Sequence, residues 1–251
     1  MKLPSGAGLR ATCVDRVAWL VLDRADSGNR IDRELAQRLC EAIGEIDMGD
    51  AADVVVLTHA AGPFCLGIEN GGEWQESFDW VAALASLRCP TLAGIGGAAL
   101  DEGLETALAV DLRIATTTAT FATQQIVAGG FPRHGATQRL PRLVGLGRAL
   151  TMLLLGTEVH AAEALVAGLA TALVAADELQ AELLRQANSL AAKGPIAARY
   201  AKEAVLAGTD LTMEQGVRLE HDLYVLLQAT EDRGEGVRSF LEKRTPRFHG
   251  K

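Results

Sequence analysis

The sequence predicts an α/β fold with a largely parallel sheet, followed by an all-helical tail. Three observations carry that reading. The β-branched run VVVLT (54–58) and the run TLAGI (91–95) read as buried strands, each followed by a loop of small residues and a stretch of helical period. Strands that alternate with helices in this way build parallel sheets. After Gly194-Pro195 the strand candidates stop, and residues 196–244 keep a helical period throughout. The chain therefore divides into an α/β core, residues 1–194, and a helical region, residues 195–251.

The elements follow in order. RVAWLVLDR (16–24) reads as a strand leaving a turn. Ile31, Leu35, Leu39 and Ile43 recur at helical spacing and predict a helix from about Asp32 to Ile46. A helix is expected around Trp74–Leu87, with Pro90 as its stop. Beyond TLAGI the pattern predicts helix 103–109, strand 111–115, one helix over 137–154, a short helix over 161–167, strand 169–174 and helix 177–192. In the tail, Leu219, Leu223, Leu226 and Leu227 form an apolar stripe that a lone chain is not expected to bury fully, which points to a subunit contact.

Composition narrows the function. A net charge of −8 over 251 residues, with no basic stripe, argues against a nucleic-acid partner. Cys13, Cys40, Cys65 and Cys89 show neither CxxC pairing nor a histidine at zinc-site spacing, so no metal site is expected. Unpaired thiols and the lack of a leader-like segment suggest a reducing cytoplasm, and no apolar stretch is long enough for a membrane span.

Two loops invite close backbone approach: GPFCLGIEN (62–70), after VVVLT, and GGAALDEGLETALAVDLRIA (96–115), after TLAGI. Backbone N–H groups exposed at such strand-to-helix turns can converge on one oxygen and stabilise a carbonyl that gains negative charge. The same composition also serves ordinary tight turns. Within the second loop, Asp101 and Glu102 admit two readings. They can cap the following helix, with Asp101 as N-cap and Glu102 in the first turn. Alternatively, the Glu102 carboxylate can project toward a ligand.

FCLGIE (64–69), GGAALDEGLETALAVDLRIA, FATQQIVAGGFPRHGATQRLPRLVG (121–145) and EDRGEGVRSFLEKRTPRF (231–248) occur in an order and spacing that resemble the enoyl-CoA hydratase/isomerase (crotonase) family along nearly the whole chain. The resemblance implies a spiral of ββα units with a C-terminal helical region that builds trimers, or dimers of trimers. It implies an acyl-CoA thioester as substrate and no cofactor beyond the coenzyme A that the substrate carries. It implies an enolate held by the backbone N–H groups of Ile68 and Glu102. Of the two carboxylates used by the family's hydratases, the first falls on Glu105 and the second on Gln125, which has the shape of Glu but cannot exchange a proton. A Gln125→Glu exchange is then expected to restore hydration. Where the family favours a glycine run the chain has Leu100-Asp101-Glu102-Gly103, and where it favours small residues it has Arg133 and His134. His134 is a candidate titrating group, Arg133 a candidate partner for an anionic acyl chain, and both also suit a solvated turn. Arg139 and Arg142 read as helix-surface or ion-pair residues. The coenzyme A pocket maps to Asp26–Arg30, with Ser27 and Gly28, and to Leu66–Ile68. Tyr224 and Lys243 match positions that reach the coenzyme A of a neighbouring subunit. Glu69 and Glu73 stand where many relatives carry a lysine.

The resemblance implies a lyase or isomerase with a non-standard acid–base set. The alternatives are a catalytically silent acyl-CoA-binding relative, or a decarboxylase or hydrolase of the same fold that uses Glu102 or His134. GIGGAA (94–99) also fits a dinucleotide GxGxxA pattern, but lies mid-chain and leaves the other motifs without a role.

Overall fold

The computed structural model describes residues 3–49, 51–69 and 77–251. Trp74 and Glu73 lie outside them.

The chain opens with β1 (Leu9–Val14) and β2 (Val17–Leu22), an antiparallel hairpin. Its turn residues Asp15 and Arg16 both have positive φ, 48° and 63°, the hand that matches strand twist. Helix α1 (Arg33–Met48) begins at Asp32, whose carboxylate accepts the Leu35 N–H at 2.9 Å. Its buried residues Leu35, Leu39, Ala42, Ile43 and Ile46 follow the predicted period. Then come β3 (Val54–His59), α2 (Trp80–Ser86), β4 (Thr91–Ile95), β5 (Ala98–Leu100), α3 (Glu102–Leu108), β6 (Leu112–Thr116) and β7 (Thr120–Ala122). The second half holds α4 (Ala136–Val144), α5 (Leu146–Leu155), β8 (Val159–His160), α6 (Ala161–Val166), β9 (Ala172–Val174), α7 (Leu179–Ala191), α8 (Pro195–Gly208), α9 (Met213–Gln228) and α10 (Glu231–Glu242).

Six strands form one sheet in the order β1-β2-β3-β4-β6-β9, with every pair after the first hairpin parallel. Alternate residues of β3 serve two cores. Val55 and Leu57 face the larger one with α1, α2 and α3, while Val54 and Val56 meet Leu179, Leu183 and Ala187 of α7. A smaller sheet, β5-β7-β8, stands beside the first.

Three expectations change. The helix expected over 137–154 is two helices, because Gly145 at φ 81°, ψ 158° cannot continue α geometry. The helix expected from Trp74 has its described part at Trp80–Ser86, with Asp79 as its N-cap. The tail stripe is divided: Leu223 is buried and Leu219 and Leu227 are half-buried, one face at spacing four, whereas Leu226 is exposed. No helix among the described residues is long and apolar enough to cross a membrane.

Candidate active site

Because β3 and β4 run parallel, the loops that follow them leave from the same edge of the sheet. They dock through the backbone: Cys65 N–H donates to the Ala98 carbonyl at 3.1 Å, and Leu100 N–H donates to the Cys65 carbonyl at 2.9 Å. Helix α3 starts so near this junction that a Cβ on Gly103 would lie 2.2 Å from the Cys65 carbonyl oxygen. Much of the close approach signalled by the small residues is thus loop against helix.

Three predicted side chains meet here, together with the backbone of a fourth predicted residue, His134. Glu105 is fully buried and Glu102 is 8% exposed, both on α3. The Gln125 amide nitrogen donates to Glu102 Oε1 at 2.8 Å and lies 3.4 Å from Glu105 Oε2, so one amide spans the two carboxylates. Gln125 is itself oriented by the Thr123 hydroxyl, which donates to its Oε1 at 3.0 Å. The other oxygen of Glu105 accepts the backbone N–H groups of His134 and Ala136, at 2.9 and 3.0 Å. The other oxygen of Glu102 accepts the Ile68 N–H at 3.2 Å. The Glu102 N–H, at the first position of α3, has no acceptor within its own helix. Burial pushes the Glu105 carboxyl above its ordinary range, against the opposing pull of its hydrogen bonds and His134.

Asp101 does not act as the expected cap. It occupies the N-cap position with φ 49°, ψ −117° and makes no side-chain capping bond. Its carboxylate accepts the Gln124 N–H at 2.6 Å instead, bracing the turn that carries Gln125. Burial raises its pKa.

The turn 132–136 is not solvated as a whole. Arg133 is exposed, but His134 is 8% exposed, with Nδ1 3.1 Å from Asp79 Oδ1 and its ring 4.9 Å from that of Trp80. His134 Nε2 is buried without a hydrogen-bond partner. Arg139 donates to the His134 carbonyl rather than forming an ion pair there, and Arg142 lies 3.3 Å from Asp210. Asp79 joins the site with no sequence signal beyond that of an N-cap, a role it also fills by accepting the Ala82 N–H at 2.8 Å.

Ser27, Gly28, Leu66 and Ile68 also come together. Leu66 N–H donates to the Gly28 carbonyl at 3.1 Å, and Ile31 bridges Ile68 in parallel register. The cations of this region are engaged, Arg24 with Asp32 and Glu69, and Arg30 with the Leu66 and Ile68 carbonyls. Tyr224 is exposed on α9 and Lys243 is exposed in left-handed geometry at the end of α10. Among the described residues no group of three His, Cys, Asp or Glu side chains is arranged to hold a metal ion.

Buried carboxyl groups beside backbone N–H donors, at the edge where parallel strands end, make this the candidate catalytic site. The chain belongs to the enoyl-CoA hydratase/isomerase family, whose model matches residues 14–251. It is 33% identical over 242 residues to a Mycobacterium tuberculosis protein named "Probable enoyl-CoA hydratase echA8", covering 93% of this chain and 94% of that one. It is 32% identical over 246 residues to the 2,3-dehydroadipyl-CoA hydratase of Escherichia coli K12, covering 94% and 96%. The fold superposes with a TM-score of 0.89 on a crystal structure described as an enoyl-CoA hydratase subunit from Geobacillus kaustophilus, 33% identical, covering 98% of this chain and 99% of that one.

Proposed function

We propose that the protein adds water to a 2-enoyl-CoA thioester, with Glu105 and Glu102 as the acid–base pair. On this reading the N–H groups of Ile68 and Glu102 hold the thioester oxygen as it becomes an enolate. One carboxylate takes the proton from water as oxygen bonds to C3, and a proton is delivered to C2. Gln125 cannot exchange that proton but can hold the two carboxylates in register. The observation that carries this is the Gln125 amide nitrogen placed 2.8 Å from Glu102 Oε1 and 3.4 Å from Glu105 Oε2. A carboxylate from α3 thereby converges on the position where Gln125 lacks one. The enzyme is on this reading a lyase rather than an isomerase. Coenzyme A would run along Ser27, Gly28 and Leu66, and Tyr224 and Lys243 would serve the site of a neighbouring subunit in a trimer or dimer of trimers.

A second reading, thioester hydrolysis, draws support from His134, whose buried Nε2 is unpartnered while Asp79 holds Nδ1, the polarity of an oriented general base. A panel of acyl-CoA thioesters, followed by mass spectrometry, separates the readings by product mass. For hydration, Glu105→Gln is expected to lower turnover about 10²–10⁴-fold with little change in thioester affinity. Unchanged turnover in Glu105→Gln would remove Glu105 from the mechanism, and free acid as the product would favour His134.

A further inference from the structure

The Ile68 N–H is occupied within the protein itself. It donates to Glu102 Oε2 at 3.2 Å, and a Cβ built on Gly67 would lie 2.9 Å from the same oxygen. The carboxylate therefore lies directly against this part of the loop. Its described hydrogen-bond partners are the neutral donors Ile68 N–H and Gln125 Nε2, with no lysine or arginine among them. At 8% exposure it has little water to turn to instead. An amide has one hydrogen, so the thioester oxygen and Glu102 cannot both receive it at full strength.

We infer that the Glu102 carboxylate is a built-in occupant of the Ile68 oxyanion donor, which the thioester oxygen must displace. The inference rests on the proposal that Ile68 serves the substrate oxygen. A charged carboxylate accepts a hydrogen bond more strongly than a neutral thioester carbonyl does. The ground-state substrate competes poorly for the amide, whereas the enolate oxygen carries comparable charge and competes on nearly equal terms. Displacing the occupant costs the same, relative to the free enzyme, in the bound substrate and in the transition state. The occupant therefore weakens thioester binding and lowers kcat/KM, and the enolate, with its stronger bond to the amide, recovers more of that cost than the ground-state thioester does. When Oε2 is displaced, Oε1 remains on Gln125 Nε2, and the carboxylate stays near Glu105, where the proton transfer needs it.

The test compares two probes on the wild type, Glu102→Ala and Glu102→Gln: butyryl-CoA, a saturated thioester, and S-butyl-CoA, a thioether without the carbonyl. Calorimetry is expected to give Glu102→Ala a butyryl-CoA Kd about tenfold or more below that of the wild type. The S-butyl-CoA Kd should stay within about twofold, because nothing in that ligand seeks the amide. Glu102→Gln should fall between, since its neutral oxygen is a weaker occupant of the same shape. It decides alone if Glu102→Ala does not fold. A thioether-to-thioester Kd ratio equal in all folded proteins overturns the inference. Turnover of the same variants tests the acid–base reading separately. Lost turnover with an unchanged ratio removes the occupant and keeps Glu102 as a proton-transfer group. A raised ratio with full turnover does the reverse. Butyryl-CoA binding to none of the proteins overturns both.

Discussion

Glu105 and Glu235 are both held by several donors, yet their environments act in opposite directions. Glu235, on α10, takes Arg244 across both of its oxygens and also the Arg247 N–H at 2.9 Å. Those hydrogen bonds, the guanidinium of Arg244 first among them, hold its carboxyl down to about 2. Glu105 receives two backbone N–H groups and lies within reach of the Gln125 amide, all neutral. Burial outweighs these bonds and pushes its pKa up. The number of hydrogen bonds does not decide the direction; a cation at the surface and desolvation in the interior do. The tail thus carries fixed charge, while the interior site keeps a carboxyl nearer the range in which it can exchange protons.

If the site owes its carboxylates to loop and helix pressed together, Gly103 is where that packing is most exposed to substitution. Gly103→Ala is expected to cost about 3 kcal/mol in urea unfolding, at the upper end for overpacking. The atom its Cβ would meet, 2.2 Å away, is the backbone oxygen of Cys65, which cannot rotate aside. A loss no larger than that of an exposed substitution would mean that α3 can shift, and the distances of the site with it. Gln125→Glu addresses the electrostatic half of the comparison. The family pattern alone predicts that this exchange restores hydration; the geometry argues the other way. It would set a third carboxylate 2.8 Å from Glu102 and 3.4 Å from Glu105 in place of their shared donor. A loss of about 2 kcal/mol at neutral pH, partly recovered on acidification, is expected, without a gain in turnover.

Much of the fold is legible in the residues, but not the geometry of the site. The runs that form β3, β4 and α1 are legible because each is buried and either β-rich or clearly periodic. β5, β7 and β8, of two or three residues, carry no period at all. Glu105 and Gln125 are singled out by the family resemblance, and Glu102 and His134 by standing where the family favours glycine or small residues. The amide between two carboxylates is not legible, because α3 and the 123–125 turn meet only in the tertiary fold. Nor does the sequence reveal the use of Asp101 as a brace, or two backbone N–H groups of the 132–136 turn closing on Glu105. Backbone donors leave no trace in the identity of their residues.

A smaller effect sharpens the comparison through pH. The Glu105 pKa is raised in the folded protein above its ordinary value of 4.5. The folded state therefore binds this proton more tightly than the unfolded chain does. The resulting stabilisation is fully present below about 4.5 and is lost as pH rises through the higher folded value. Thermal unfolding of the wild type and Glu105→Gln from pH 4 to pH 7 should show the wild type losing ground steadily relative to the variant. A flat difference would mean that its hydrogen bonds compensate burial after all.

The smallest effect belongs to the tail. Glu235 has the lowered pKa of a paired carboxylate, so by linkage its stabilisation is present above the ordinary range and lost only as pH falls toward about 2. Yet its partners are exposed arginines, and water competes for each of them. Glu235→Gln keeps an oxygen for the Arg247 N–H and should leave the melting temperature near neutral pH unchanged within error. What it changes should appear mainly in low salt, where a pair with exposed arginines is least screened. Melting curves at low and high ionic strength read this directly. A marked loss that persists in high salt would place Glu235 in a protected environment, such as a subunit interface covering α10. The contrast between a solvated tail and a desolvated site would then have to be redrawn for the assembled protein.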